Sequence, residues 1–172
     1  PHRLGVGLYA LKDGALTRTR LVEVELDGAA RTLVPDVAGE SVPAAVLLND
    51  GDLTYAKVAF DEGSLATWRE HLGTLADPLA RVIVWAGLWN MARDAQLPAA
   101  DYVEIVLRQG SAETDASTLA ALAANLEAAV ERLSPPQGRD ALREATAERL
   151  WGLAEAAPAG GDAQLTWVRT FA

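Results

Sequence analysis

The feature that most constrains the fold is a change in hydrophobic period at Asp61. Before this residue, apolar and polar residues alternate with a period of two, which is typical of half-buried β-strands. After it, apolar residues recur with a period of 3.6, which is typical of amphipathic helices. The sequence therefore predicts an α+β chain in two segregated parts, with antiparallel strands in residues 1–61 and helices in residues 62–172.

Turn signals divide the first part into strands. Asp-Gly pairs at residues 13–14 and 27–28 are strong signals for a tight turn between antiparallel strands, and they predict a three-stranded meander. After a loop between Pro35 and Pro43, two further strands are predicted on either side of an Asn-Asp-Gly turn. The predicted strands are residues 2–11, 16–26, 30–34, 44–49 and 53–60.

Capping residues and breakers divide the second part into six helices. Each helix has an apolar stripe, and the links between helices are short, so helices that follow one another are expected to pack as antiparallel neighbours. Stacked helical hairpins of this kind form a solenoid-like array, although no clean sequence repeat is visible. The predicted helices are residues 64–75, 77–97, 98–109, 114–133, 138–156 and a last helix that starts at Asp162.

The helix predicted over residues 77–97 is the most apolar of the six. Asp77 is a suitable N-cap and Pro78 suits the first helical position. Apolar residues follow on nearly every side, which predicts burial on all sides and a central place in the helical layer. Trp85 and Trp89 lie one turn apart, and packing in the core is favoured over ligand binding.

Composition excludes several classes of function. The net charge is −9 and the sequence pI is about 4.7, which argues against binding to nucleic acid or to an anionic membrane surface. There is no cysteine, so disulfides and thiolate chemistry are excluded. The longest apolar run, residues 82–89, is shorter than the ~20 residues that span a bilayer, and no signal peptide opens the chain. Because the chain begins with Pro1 rather than Met, it is expected to be part of a longer protein.

The residues that could carry chemistry do not form known motifs. The two histidines, His2 and His71, are not part of an HExxH or other metal-binding spacing. The serines lack a nucleophile motif and a histidine partner, and Ser64 and Ser111 better suit helix starts. The glycine pair Gly5 and Gly7 is not followed by a helix, as a phosphate-binding loop would require. The serines considered are Ser41, Ser64, Ser111, Ser117 and Ser134.

Paired charges are better explained as solvated surface than as catalytic groups. Asp50-Gly51-Asp52 is similar to part of a calcium loop but supplies too few ligands. The other pairs have the spacing of exposed strand and helix faces, where ion pairs contribute little. These are Glu23 with Glu25, Glu127 with Glu131, Glu144 with Glu148 (beside Arg143 and Arg149), and Arg93 with Asp94.

Three segments in order resemble the back half of the zinc-dependent aminopeptidase N family, in its actinobacterial form. They are PHRLGVGLYALKDGALTRTRLVEVELDG (1–28), VLLNDGDLTYAKVAFDEGSLATW (46–68) and DPLARVIVWAGLWNMARDAQLPAADYV (77–103). The most distinctive piece is LNDGDLTYAKVAFDEGSL (48–65), which resembles the join between a β-sandwich domain and a C-terminal helical domain. The resemblance implies an incomplete β-sandwich in residues 1–61 and the first helices of the helical domain in residues 62–172.

The resemblance also implies a function for the parent protein. Members of the family are zinc enzymes that remove N-terminal residues from peptides, and their helical domain covers the catalytic cleft and limits peptide entry. The HExxH zinc site, the GxMEN motif and a transition-state tyrosine do not occur in matching context here, so Tyr55 and Tyr102 receive no role. We therefore expect no catalytic, cofactor-binding or metal-binding residue in this chain, with zinc in the parent enzyme only. The expected partners are the rest of the polypeptide and a peptide substrate, in the cytoplasm.

Two other functions are compatible with a helical chain of this kind to different degrees. A free-standing helical module that binds a peptide or protein would explain the helical layer without an enzyme, whereas a small hydrolase lacks a pair of nucleophile and base. A parent gene with several hundred upstream residues and an HExxH motif would favour the aminopeptidase. The chain is also expected to self-associate, because Trp167, Phe171 and one sheet edge are predicted to lack packing partners.

Overall fold

The computed structural model describes residues 2–172 and has the expected class of fold. Within these residues, a three-stranded antiparallel sheet is followed by six α-helices, which confirms an α+β chain with segregated parts. The chain divides into two compact units, residues up to Gly87 and residues Leu88–Ala172, and the division falls inside one helix. The boundary between residues 61 and 62 marks the change from strands to helices and stays a prediction as a domain boundary.

The predicted hairpin forms the longest pair of strands in the sheet. Strand β1 (His2–Lys12) pairs with β2 (Ala15–Leu26), and the turn between them has positive φ at Asp13 (51°) and Gly14 (82°). The predicted strand 44–49 is confirmed as β3 (Ala45–Leu48), which pairs antiparallel with β1 and gives the order β2-β1-β3. Strand β1 is therefore central.

Two of the predicted strands were wrong. Residues 30–34 form part of an exposed loop with a 3-10 turn at Pro35–Val37, because only Val34 among them is even partly buried and the segment has too little apolar burial to hold it against β2. Residues 53–60 do not pair with a strand among the described residues. Their alternating burial arises because Val58 and Phe60 are buried, with the Phe60 ring 6.0 Å from that of Trp68.

One face of β1 is covered by apolar side chains, and the other is covered by polar groups. One face carries Leu4, Val6 and Leu8, which form an apolar cluster. Partly buried side chains from β2, β3 and the 3-10 turn pack against this cluster: Val24, Leu26, Val37 and Val46. On the alternate positions, two glycines and Tyr9 leave room for the polar residues described below.

Helix α1 (Glu62–His71) closes the outer edge of β3 with hydroxyl groups. Asp61 is its N-cap and accepts hydrogen bonds from the Ser64 backbone N–H (2.9 Å) and Oγ (2.6 Å). The Ser64 Oγ in turn accepts from the Val46 N–H at 2.9 Å, and Thr67 Oγ1 donates to the Ala44 carbonyl at 2.5 Å. Backbone groups that another strand would otherwise pair are thus satisfied by helix side chains.

The outer edge of β2 is blunted by charge and by an irregular register. The register of β1 and β2 shifts between Leu8 and Tyr9, so that Thr19 is bulged. Glu23 pairs with Arg3 at 3.2 Å, and Arg20 pairs with Glu40. Bulges and charges of this kind oppose edge-to-edge pairing, which weakens the expectation of self-association through the sheet.

Helix α2 (Pro78–Arg93) begins where the sequence predicts. The Asp77 carboxylate accepts from the Leu79 N–H at 3.0 Å, and Trp85 is 4% exposed. The expectation that α2 is buried on all sides was wrong, because Leu79 and Val82 are 44% and 41% exposed. The apolar composition of α2 therefore predicted more burial than is found near its N-terminus.

The second unit is helical throughout. After α2 come α3 (Ala99–Gln109), α4 (Ala116–Ala128), which a π-helical turn extends to Leu133, α5 (Arg139–Ala156) and α6 (Asp162–Phe171). The predicted stripe of α4 is confirmed, since four apolar residues are almost completely buried: Leu119, Leu122, Leu126 and Val130. Trp167 is also buried, at 1% exposure, so the prediction that it lacks packing partners was wrong, whereas Phe171 is 42% exposed.

Candidate functional site

The most unusual polar arrangement in the first unit is a buried carboxylate, that of Asp50. Asp50 is 1% exposed and accepts a hydrogen bond of 2.7 Å from the Tyr9 hydroxyl and one of 2.9 Å from Arg18 Nη1. The same guanidinium lies 3.7 Å from an oxygen of Asp77, which immediately precedes α2. We call these four residues the Asp50 cluster.

Two glycines of β1 make the Asp50 cluster possible. A Cβ atom on Gly7 would lie 1.9 Å from Asp50 Oδ2, and one on Gly5 would lie 2.0 Å from the Asp50 carbonyl oxygen. The Asp50 N–H also donates to the Gly5 carbonyl at 3.1 Å. Any side chain at these positions would push the loop away from the strand. The two glycines therefore allow the backbone and carboxylate of Asp50 to lie close to β1.

The loop that carries Asp50 is held in a tight turn. Asn49, Gly51 and Asp52 have positive φ values of 59°, 90° and 53°. The Asn49 side-chain amide donates to the Thr54 carbonyl (2.8 Å) and to Asp52 Oδ1 (3.1 Å), and its Oδ1 accepts from the Thr54 N–H (3.3 Å). Asn and Gly suit these left-handed positions, and the turn fixes where the Asp50 carboxylate lies.

The electrostatics of the Asp50 cluster are those of a fixed ion pair. Burial raises the pKa of the Tyr9 phenol, and the hydrogen bond and negative charge of Asp50 raise it further. Tyr9 therefore stays a protonated donor. Burial lowers the pKa of the Arg18 guanidinium, but Asp50 raises it, so that the net pKa lies above the ordinary value for arginine.

A shallow cavity of about 190 Å³ lies beside the Asp50 cluster and includes Arg18, Leu75 and Asp77 in its lining. The Tyr9 hydroxyl donates to Asp50 rather than into open space, and Arg18 is engaged by carboxylates. Asp50 therefore links its own loop, residues 49–54, to β1 through Tyr9 and to β2 through Arg18. We interpret this arrangement as a structural clamp.

Ion pairs in the second unit lie on its surface. Arg149 donates to Glu104, and this hydrogen bond is the main cause that lowers the pKa of Glu104. Arg143 binds both oxygens of Glu131 at 2.7 and 2.9 Å and also contacts Asp140 at 2.6 Å. Exposed pairs of this kind contribute little to stability and position helices rather than substrates.

The histidines and serines singled out from the sequence are dispersed and have local partners. His2 Nδ1 is 3.0 Å from Thr54 Oγ1, and His71 is the last residue of α1. Ser64 bonds to the cap of α1 and to β3, and the buried Ser134 donates to the Ala129 carbonyl at 2.9 Å. Three further serines are exposed: Ser41, Ser111 and Ser117.

The charged and aromatic residues singled out from the sequence also lie apart and have different partners. Asp50 and Asp52 point to different partners, so the similarity to a calcium loop ends there. Trp89 is half-buried, with its ring 5.3 Å from that of Tyr102, and Tyr55 is fully exposed. The remaining carboxylates and the end of α2 are mainly exposed: Glu25, Glu127, Glu144, Glu148, Arg93 and Asp94.

Residues 2–172 are the part of the chain that the structure describes. Nowhere in this range do three or more His, Asp or Glu side chains come together in a way that could hold a metal ion. None of the helices over the same range combines the length and apolarity needed to cross a bilayer.

The Asp50 cluster was missed by reasoning from the sequence. Its hydrogen-bonded pairs are 41 and 32 residues apart, so no local pattern joins them. The one available signal was the presence of Gly5 and Gly7 within a strand, which indicates a close approach by another backbone.

Comparison with known proteins gives two matches. The family described as ERAP1-like C-terminal domain matches residues 45–169. The aminopeptidase N of Streptomyces lividans is 42% identical over 174 aligned residues, which cover 100% of this chain. The chain spans only 20% of the length of that relative.

Proposed function

The chain belongs to the ERAP1-like C-terminal domain family, and on that premise we propose that it is a non-catalytic part of a zinc-dependent aminopeptidase. The observation that carries this proposal is the 42% identity to an aminopeptidase N along the whole chain, which corresponds to 20% of that relative. In this proposal the parent protein removes N-terminal residues from peptides in the cytoplasm. This part spaces and covers the catalytic cleft and helps to shape peptide access.

The structural feature that supports this role is the rigid packing inside each of the two units. In the first unit, the Asp50 cluster and the hydroxyl-capped edge of β3 hold the loop and the sheet together. In the second unit, α3 and α4 bury continuous apolar stripes. An element that limits access to a cleft must keep its shape when substrate binds, and well-packed cores have that property.

Zinc is proposed only for the rest of the parent polypeptide. The residues described here do not fit a zinc site, since the zinc-binding HExxH motif is not in the sequence and His2 is engaged by Thr54. We therefore assign no step of peptide hydrolysis to a residue of this chain.

An exchange of segments tests the proposal. The corresponding fifth of the S. lividans aminopeptidase N would be replaced by this chain, and hydrolysis of a short aminoacyl chromogenic substrate would be compared with that of a longer peptide. We expect the exchange to preserve hydrolysis of the short substrate. Substitution of exposed residues within the exchanged segment should then change KM for the longer peptide more than for the short one, because only the longer peptide is expected to reach this part of the protein.

The isolated chain provides the complementary measurement. It should neither hydrolyse the aminoacyl substrate nor take up zinc in stoichiometric amount. Turnover by the isolated chain would contradict the proposal, as would an exchanged enzyme that folds but has lost all hydrolysis of the short substrate.

A second candidate function is that of a free-standing helical module that binds a peptide or protein. An apolar cavity of about 450 Å³ in the second unit favours it, with Leu97, Pro98, Leu133, Pro135 and Leu142 in its lining. Grooves of this composition accept apolar side chains of peptides. Chemical-shift changes confined to this cavity on titration with an apolar peptide, with Leu142→Asp as the blocking variant, would support the module.

A further inference from the structure

Three aspartates of this chain are followed directly by glycine: Asp13, Asp27 and Asp50. An aspartate in this setting can react with its own backbone. The amide nitrogen of the next residue lies within reach of the side-chain carbon Cγ, and a glycine, which has no side chain, leaves that nitrogen unhindered. The three pairs have different surroundings in the structure, and these surroundings decide which pair is able to react.

Two of the three pairs are held in place. Asp50 is 1% exposed, and its carboxylate oxygens accept hydrogen bonds from a phenol and a guanidinium. Asp13 and Gly14 form the two-residue turn of the β1–β2 hairpin, and the paired strands begin directly beside them. A reaction of the side chain with the backbone at either pair therefore requires a local opening of the fold.

The pair Asp27–Gly28 lacks both restraints. It follows Leu26, the last residue of β2, and residues 27–34 lie outside the helices and strands of residues 2–172. Both residues of the pair are exposed. The Asp27 Oδ1 accepts a hydrogen bond of 2.9 Å from the Ala29 N–H. This bond closes a small ring that contains Cγ of Asp27 and the amide nitrogen of Gly28, so that the two reacting atoms stay close together.

We propose that Asp27–Gly28 is a site of self-modification, at which the normal peptide bond is converted to a β-linked isoaspartyl bond. The Gly28 nitrogen attacks Cγ of Asp27 in its carboxylic acid form. A C–N bond forms, and the carboxyl OH leaves with the amide proton as water. The product is a five-membered succinimide ring.

Water then opens the succinimide by adding to one of its two carbonyl carbons, and the bond from that carbon to nitrogen breaks. Opening at the backbone carbonyl of Asp27 gives isoaspartate, whereas opening at Cγ restores aspartate. The two steps release one water and consume one water, so they need no other reactant. The inference does not depend on the proposed function, because it rests on the surroundings of the three Asp-Gly pairs alone.

The fold can accommodate the modified backbone at this position. Isoaspartate adds one carbon atom, Cβ, to the main chain and leaves a free α-carboxylate as the side group. Between Asp27 and the start of β3 at Ala45, the chain has no strand register to maintain. The same extra atom at Asp13 would disrupt a two-residue turn, which sets the register of its hairpin. We therefore expect the chain modified at Asp27 to keep its fold.

The product presents a defined chemical group to other proteins. Isoaspartyl residues with a free α-carboxylate are the substrate class of enzymes that transfer a methyl group from S-adenosylmethionine. Exposed segments outside regular structure are accessible to enzymes that act on the backbone. The aged chain should therefore accept a methyl group at position 27, whereas the newly made chain should not.

Incubation of the whole folded chain at neutral pH and physiological temperature over several weeks tests the proposal. Methylation by a purified isoaspartyl methyltransferase with labelled S-adenosylmethionine counts the isoaspartate, and peptide mapping locates it. We expect isoaspartate to accumulate at Asp27 at least about tenfold faster than at Asp13 or Asp50, because only the latter two require a local opening. In urea, where no pair is restrained, the three rates should be similar.

The blocking variant is Asp27→Glu, which keeps the charge but would need a six-membered ring, and it should lose most of the label. The matched control is Asp36→Glu, which makes the same change in the same exposed loop at an aspartate that precedes Val37, and it should label as the wild type does. Circular dichroism verifies that each aged chain is folded. Isoaspartate that forms no faster at Asp27 than at the other two pairs of the folded chain would overturn the proposal. Full labelling of Asp27→Glu would also overturn it.

Discussion

Replacement of Gly7 with alanine should destabilise the first unit through the Asp50 cluster. The new Cβ atom would lie 1.9 Å from Asp50 Oδ2 and 2.9 Å from Asp50 Cγ. Because non-bonded heavy atoms need roughly 3.5 Å, the carboxylate must move by more than about 1 Å. Such a movement takes the bonds from Tyr9 (2.7 Å) and Arg18 (2.9 Å) out of hydrogen-bonding range.

The magnitude follows from the groups that lose their partners. A hydrogen bond to a charged group is worth ~1.5–3 kcal/mol, and the bond from Arg18 is discounted because that side chain is 38% exposed and water can replace its partner. Alanine also gains ~0.5–1 kcal/mol over glycine within a strand, which offsets part of the loss. We expect the free energy of unfolding to fall by about 2–4 kcal/mol.

Urea denaturation followed by tryptophan fluorescence and circular dichroism measures this change. The ring of Trp68 is 5.6 Å from that of Tyr9, so its fluorescence reports on the region. Gly152→Ala is the control, since nothing lies within 4 Å of the added Cβ in the middle of α5 and the variant should be slightly more stable.

A double-mutant cycle assigns the effect to the carboxylate. In an Asp50→Ala background the closest contact of the new Cβ is gone and the contact with Tyr9 Cε2, at 2.9 Å, remains, so most of the cost of Gly7→Ala should disappear. A change below about 1 kcal/mol in the wild-type background would refute the reasoning. An equal cost in both backgrounds would place the strain elsewhere.

Three further predictions follow from buried or capping side chains. Trp85→Ala should lower the free energy of unfolding by ~3–5 kcal/mol, and a loss under about 1 kcal/mol in urea denaturation would contradict its burial at 4% exposure. Asp61→Ala should cost ~1 kcal/mol at pH 7. Hydrogen bonds from Ser64 lower the pKa of Asp61 below 3.8, so this cost should be constant well above pH 3.8 and shrink as the pH falls below 3.8 through the lowered pKa; a cost that does not change with pH in this acidic range would be inconsistent with it. Burial raises the pKa of both Tyr9 and Tyr102, so stability should fall as the pH rises above about 10, and absorbance near 295 nm should show these phenols ionising only with unfolding.

Most of the helical part was predictable because its signals are local. Asp77 and Asp115 accept hydrogen bonds from N–H groups in the first turns of their helices, as capping chemistry requires. The stripe of α4 is buried as its spacing indicates. The π-helical turn at Ala129–Leu133 was not anticipated, since nothing in its sequence differs from an ordinary helix end.

The strands were harder to predict because pairing is not local. Residues 53–60 alternate and Val58 and Phe60 are buried, but alternation alone does not tell whether the backbone has a partner strand. The Asp50 cluster was hidden for the same reason. Its members come from three separate segments, and only the close approach at Gly7 left a trace in the sequence.

The two partners of β1 have consequences for the speed of folding. β2 follows β1 after a two-residue turn, and hairpins of this kind form in about 1–10 μs. β3 reaches the other edge only after the long loop closes, which adds an entropic barrier. Substitutions in the hairpin should therefore slow folding, whereas substitutions at Asp50 should mainly accelerate unfolding. The clamp that fixes the 49–54 loop would then determine how long the folded unit lasts rather than how quickly it forms.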